Sequence, residues 1–157
     1  MIHNRGMEKS VIPLDPTDRE IVRLLRADGR LGGGEIGRRV NLSQPAVSAR
    51  IKRLEQSGVI TGYEARVDQR RLGLTIHAVA RLRTTQANIA AALELFATFP
   101  EVSRIYRITG EDCFLLDLHV TDAERLETIV DSIARFGPVM TSLVLREYPT
   151  SGGAPAA

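Results

Sequence analysis

The sequence predicts an α+β chain built in two units, three short helices followed by a βαββαβ unit, and three observations carry that reading. Apolar residues recur at helical period through residues 14 to 58, and from Leu74 onward they alternate along strands separated by two helical stretches. The charge changes at the same place. Residues 1 to 73 hold 14 Lys or Arg against 9 Asp or Glu, a surplus of +5, whereas residues 74 to 157 hold 7 against 10, a deficit of −3. A basic half suits a phosphate-binding module; a mildly acidic half does not.

Residues 1 to 13 are polar and aperiodic and read as a disordered extension, with Met1 or Met7 as the start. Leu14-Asp15-Pro16 announces the first helix: Asp15 as N-cap, Pro16 at the first helical position, Asp18 and Glu20 near the positive end of the dipole. Ile21, Leu24 and Leu25 give it an apolar face to about Ala27, and Asp28-Gly29-Arg30 ends it. Gly32-Gly33-Gly34 leads into a second, poorly capped helix with Ile36 and Val40 one turn apart. No Gly-Lys-Ser/Thr follows and no strand precedes, so the glycines are not a phosphate loop. Asn41 and Leu42 make a tight turn into the third helix.

That third stretch, Leu42 to Gly58, organises the first unit. Ser43 can cap it, and Pro45 is tolerable in a first turn whose N–H groups lack intrahelical partners. Val47, Ile51 and Leu54 form one apolar stripe, and Gly58 can close the helix. Pro45, Ser48, Ala49, Lys52 and Arg53 fall on the opposite side, small near the start and basic near the end. Such a face suits a DNA major groove, where bulk at the N-terminus blocks approach and cations further along meet phosphates. Three helices with such a turn make a helix-turn-helix, spanning residues 14 to 68. Ser43, Gln44 and Ser48, beside Pro45, are the candidates for base edges, Gln44 because its amide can bond an adenine bidentately. Arg38, Arg39, Lys52 and Arg53 are the candidates for phosphates. Arg50, at the edge of the stripe, is expected to pair structurally with Glu20 or Glu55.

Val59 to Asp68 reads as extended and residues 69 to 73 as a linker. In the second unit, residues 74 to 150, Leu74, Ile76, Ala78, Ala80 and Leu82 mark one face of a strand. Gln86 to Phe99 is a helix carrying Ile89, Leu93 and Phe96, followed by strands Val102 to Thr109 and Cys113 to Val120 around a tight Gly110-Glu111-Asp112 turn. Thr121 or Asp122 caps a helix with Leu126, Ile129, Val130 and Ile133, and Val139 to Tyr148 is the last strand. The order is the ferredoxin-like plan, two helices on one face of an antiparallel sheet. Residues 151 to 157 read as a disordered tail.

The other sheet face is expected to expose Val79, Leu115, Val144 and Tyr148 among His77, Arg81, Arg107, Asp117 and His119. Such a face needs cover, and a second copy supplies it through a two-fold axis, which also suits a helix-turn-helix reading two half-sites.

Cys113 is the only cysteine, which excludes an intrachain disulfide framework and a multi-cysteine metal site. No apolar run approaches the ~20 residues of a membrane span and the N-terminus lacks a signal-peptide core, so a cytoplasmic, membrane-free protein is expected. His3, His77 and His119 have no sequence-local metal spacing, and Cys113 has no identified activating base. No catalytic residue, metal or cofactor is assigned, and His77 and His119 read as surface or interface residues.

Taken together the chain resembles the Lrp/AsnC, or feast/famine, family of transcription regulators from Leu14 to about Tyr148. The resemblance rests on Leu14-Asp15-x-x-Asp18-x-x-Ile21-x-x-x-Leu25, on Asp28-Gly29-Arg30, on Leu42-Ser43 with Val47-x-x-Arg50-x-x-x-Leu54-Glu55, and on Gly58-Val59-Ile60-x-Gly62-Tyr63. It implies a winged-helix-like domain binding double-stranded DNA, a C-terminal domain that binds small effectors, frequently amino acids, and homodimers that assemble to octamers. In relatives the effector sits near the turn after the second strand of that domain. Here that turn reads Thr109-Gly110-Glu111-Asp112-Cys113-Phe114, with Cys113 where many relatives carry aspartate. The expectation is an effector-responsive regulator; the alternative is an effector-independent architectural DNA-binding protein.

Overall fold

The computed structural model describes residues 12–148, so the N-terminal extension, apart from Ile12 and Pro13, and the 151–157 tail lie outside the described residues. The chain divides into two compact units between Ala65 and Arg66. No helix among the described residues is long and apolar enough to cross a membrane.

The first unit holds α1 (Pro16–Ala27), α2 (Gly33–Val40) and α3 (Gln44–Gln56). Asp15 and Asp18 close a capping box at the start of α1, each carboxylate accepting the other's backbone N–H. α2 starts at Gly32 with no side-chain cap and ends on Asn41, a left-handed residue at φ 56°. The Leu42 N–H then reaches back to the Gly37 carbonyl at 2.9 Å. This turn is so close that a Cβ on Gly37 would lie 2.4 Å from the Leu42 carbonyl oxygen, which is why only glycine fits there. Ile21, Leu24, Ile36, Val47 and Leu54 are buried together, one or two from each helix.

Residues 59–68, expected to be extended, form no strand. Val59 and Ile60 instead give their N–H groups to the Leu54 carbonyl at 2.9 and 3.0 Å, finishing α3 and packing on its core. Residues 69–72, expected as linker, make a single 3₁₀ turn closed by left-handed Gly73.

The second unit runs β1 (Ile76–Leu82), α4 (Ile89–Phe96), β2 (Val102–Arg107), β3 (Phe114–Val120), α5 (Ala123–Ala134) and β4 (Val139–Leu143), in the antiparallel order β2-β3-β1-β4. Alternation works as expected on the central strands: Ala78, Ala80, Leu82, Phe114, Leu116, Leu118 and Val120 are buried on the helix side. Ala92, Phe96, Ile129 and Ile133 cover them, with the Phe96 and Phe114 rings edge to face at 5.4 Å.

Four details differ from the sequence reading. The α4 stripe runs through Ile89, Ala92 and Phe96, leaving Leu93 41% exposed, because only a small residue at 92 lets the helix sit down on the sheet. β1 starts at Ile76, opposite Val120, and β4 stops at Leu143; beyond that the Val144 N–H makes one last bond to His77, and the edge strand runs out of partner. The β2–β3 turn is wider than three residues, since Ile108 and Cys113 still pair across it at 3.1 Å. Finally, a bulge at Ser103 shifts the β2 register so that Arg104 faces Asp117 and Arg107 faces Phe114. Arg107, expected on the open face, therefore lies on the helix side, 4.9 Å over the Phe114 ring, and Tyr106, opposite Leu115, stands on the open face in its stead.

Candidate functional site

α3 presents two unlike sides. Val47 and Leu54 are buried, and Gln44, Pro45, Ser48, Ala49, Lys52 and Arg53 are exposed. The Ser43 hydroxyl accepts the Ala46 N–H at 3.4 Å, so its oxygen is already spent in part on the cap. α2 begins beside the same surface: a Cβ on Gly33 would stand 3.4 Å from the Gln44 Cγ and 3.5 Å from the Ser48 Oγ. The glycines at the start of α2 therefore give room to Gln44 and Ser48. They also leave the first N–H groups of α2 without a capping side chain, a positive dipole end at the edge of the α3 surface.

The four basic candidates are not equivalent. Arg38 and Lys52 are exposed. Arg39 is bonded to Glu35 at 2.6 Å on an exposed i,i+4 pair, a weak tie that a phosphate can replace. Arg53 bends inward to Asp18, whose side chain is fully buried.

Arg50 is structural, with other partners than expected. It donates to Asp15 at 2.6 Å and to Asp18 at 2.8 Å, while Glu20 pairs with Arg23 and Glu55 accepts from the Tyr63 hydroxyl. The reason is helical phase. Asp18 lies one turn before Ile21 on the buried side of α1, so its carboxylate points at α3 and must be met there by cations. The Arg50 hydrogen bond holds the Asp15 carboxyl below its ordinary range. The spacing Asp18-x-x-Ile21 was the available signal for this link, masked by the capping role of both aspartates.

The second group lies around residues 109–113. Thr109 and Gly110, the latter at φ 110°, are exposed at the tip. Glu111 is ion-paired with Arg83, and Asp112 stands 3.9 Å from Arg81. Cys113 points the other way: its thiol donates to the Thr84 carbonyl at 3.0 Å, its N–H bonds Leu82 at 2.8 Å, and its side chain packs on the apolar core. The turn thus combines two exposed backbone positions with two acidic and two basic side chains from β3's approach and β1's exit.

On the open sheet face the structure gathers residues that spacing kept apart. His77 and His119 stack at 4.2 Å, and His77 Nε2 lies 2.5 Å from Asp117 Oδ1. Burial, then the neighbouring His77, keeps His119 below the usual histidine range. Sequence reasoning placed all three on this face but not side by side, because strand register is invisible in spacing.

Comparison with known proteins agrees with this fold. Residues 14–61 match the winged helix-turn-helix DNA-binding family and residues 77–153 the Lrp/AsnC ligand binding domain. The transcriptional regulator LrpC of Bacillus subtilis is 30% identical over 140 residues, covering 89% of this chain and 97% of its own length. LrpA of Mycobacterium tuberculosis is 35% identical over 131 residues, 82% of this chain and 86% of that protein. The solved LrpC structure superposes with a TM-score of 0.84 at 29% identity, over 89% of this chain and all of that one. A Neisseria meningitidis regulator solved with L-Met superposes at 0.79 and 28% identity, over 91% and 97%. These relatives carry the names of regulators and not of enzymes. With similarity running through both units, the chain belongs to the Lrp/AsnC family of helix-turn-helix transcription regulators.

Proposed function

We propose that the protein is an amino-acid-responsive regulator that reads operator DNA through α3. The observation that carries this reading is the α3 surface: small or amide side chains at Gln44, Pro45 and Ser48, exposed Lys52 further along, and the uncapped start of α2 beside them. Gln44, Ser48 and the free lone pairs of Ser43 meet base edges, while Arg38, Arg39 and Lys52 meet phosphates. Arg53 joins them only by leaving Asp18 or by sharing its remaining donors. Two such helices are supplied by a homodimer whose open sheet faces cover each other, and dimers assemble further, to an octamer.

The effector is taken at the turn from Thr109 to Cys113. Backbone N–H groups around Gly110 suit a carboxylate, and Glu111 or Asp112 suits an ammonium once released from Arg83 or Arg81. An amino acid that binds one assembly better than another shifts the spacing of the DNA helices. The relative solved with L-Met supports an amino acid as the class.

A second reading has one observation behind it. Glu111, Asp112 and Cys113 already have partners within the chain, which suits an effector-independent architectural DNA-binding protein. One experiment separates the two: sedimentation and thermal shift of the purified protein against each common amino acid, with operator titration alongside. A single amino acid that raises the melting temperature or changes the oligomer supports the first reading. No response to any of them, with DNA binding intact, selects the second. For the DNA surface, Gln44→Ala should relax base preference at particular positions while leaving the salt slope unchanged; an unaltered preference would remove Gln44 from the base-reading set.

A further inference from the structure

The group at the middle of the open sheet face serves neither DNA reading nor the effector turn, and in the homodimer proposed above it lies on the face that the second copy covers. Asp117 and His119 are two residues apart on β3 and so share a side, and His77 on β1 stands directly opposite His119. These are the two central strands, with hydrogen-bonded neighbours on both edges, so the three side chains are carried on the most rigid part of the unit. One donor atom from each lies within 4.8 Å of the others. His77 and Asp117 are only 17% and 24% exposed, and Glu147 reaches the second nitrogen of His77 at 3.5 Å.

One atom in this group is unexplained. His119 Nδ1 is buried and has no hydrogen-bond partner among the described residues. A buried imidazole nitrogen left unpaired costs free energy, and its surroundings here hold a second imidazole and a carboxylate.

We propose that His77, Asp117 and His119 bind a divalent transition-metal ion of the zinc class, with water completing the shell and Glu147 accepting from the other ring nitrogen of His77. Two imidazoles and one carboxylate are borderline nitrogen and oxygen donors, which favour Zn²⁺, Co²⁺, Ni²⁺ or Cu²⁺ over Mg²⁺ and Ca²⁺, whose shells are built of oxygen. Donors of a tetrahedral site with bonds of about 2.0 Å stand about 3.3 Å apart. Closing the 4.8 Å spread requires the stacked imidazoles to turn about their side-chain torsions until their in-plane lone pairs converge, and the ion then takes the place of the proton between His77 and Asp117. The site stands on this geometry alone, whether or not the turn at 109–113 takes an amino acid. Its consequence is linkage: an ion that binds the folded unit and not the unfolded chain stabilises it in proportion to the logarithm of its free concentration.

The test uses the full chain without a purification tag, stripped with EDTA and titrated with ZnCl₂ and separately with CoCl₂. One equivalent should bind per chain, Zn²⁺ should raise the melting temperature where MgCl₂ does not, and Co²⁺ should give visible ligand-field bands that Zn²⁺ abolishes. His119→Ala and Asp117→Asn should each weaken binding more than about tenfold, the loss that even an outer-shell substitution causes. His3→Ala should leave it intact. Should either site variant fail to fold by circular dichroism, His77→Gln and His119→Gln keep the shape and should show the same loss. The proposal is overturned by no stoichiometric Zn²⁺ binding, by binding undiminished in the site variants, or by binding that follows Cys113→Ser instead.

Discussion

The two units solve the same problem with different means. The second is an apolar layer: Ala78, Leu82, Phe114, Leu116 and Leu118 on the sheet meet Ala92, Phe96, Ile129 and Ile133 on the helices, and none of its described charged side chains is fully buried. The first has few buried apolar residues and places a fully buried carboxylate among its helices, tied to α3 by Arg50 and Arg53. The difference teaches what each unit is for. A sheet with a continuous core keeps its shape by burial alone, whereas three short helices need directional bonds to hold α3 at one angle.

The largest effect should come from breaking the apolar layer. Phe96→Ala removes a fully buried ring and its edge-to-face partner contact with Phe114. A loss of about 3–5 kcal/mol is expected, read as a lower urea midpoint with unchanged slope. A loss below about 1 kcal/mol would mean that α4 refills the space and that the layer is not packed as described.

Next comes the polar tie. Asp18→Asn keeps the shape but removes the charge that meets Arg50 and Arg53, and weakens the capping box at Asp15. About 2–3 kcal/mol of destabilisation is expected, since hydrogen bonds to charged groups are the strong ones. If urea unfolding shows the variant to be as stable as the parent, α3 is held by Val47 and Leu54 alone and the contrast between the units disappears.

This contrast also explains what could be read in the sequence. Apolar periodicity is a local pattern, and it located β1, β3, α5 and the three N-terminal helices, together with the Ser43 and Asp15 caps. The errors came where a feature depends on residues far apart. Arg50 and Asp15 are 35 positions apart, and no helical spacing predicts their meeting. The bulge at Ser103 reverses the expected side of Arg107 because one inserted residue flips every later side chain. The end of β4 depends on where β1 begins, and Leu93 lost its place to Ala92 because close helix–sheet packing rewards small size. The exposed α3 surface was legible because exposure is what remains when the local stripe is removed; the inward turn of Arg53 was not, since its partner lies on another helix.

That inward turn sharpens the comparison within α3. Lys52 and Arg53 are neighbours with the same charge, yet only Arg53 is committed to the fold. Lys52→Ala should therefore weaken binding to all DNA sequences and lower the salt slope by about one, with little change in melting temperature. Arg53→Ala should lower the melting temperature and change the salt slope less. Equal salt slopes for the parent and Lys52→Ala would remove Lys52 from the phosphate set.

The smallest effect probes the rim of the second unit. The Glu101 carboxylate accepts from Arg125 at 2.6 Å, and that bond, against the opposing effect of burial, holds the carboxyl below its ordinary range. A carboxyl lowered in the folded state adds stability above its unfolded value, near 4.5, and that contribution fades as the pH falls through the folded value. Part of the acid limb of the stability curve should thus belong to this pair. Glu101→Gln should be slightly less stable than the parent at pH 7, and the gap should shrink as the pH drops from about 4.5 through the lower folded value, below which both side chains are uncharged. A gap that stays constant from pH 7 to pH 3 would assign the cost to lost hydrogen-bond geometry and leave the charge of Glu101 without a part in holding β2's entry to α5.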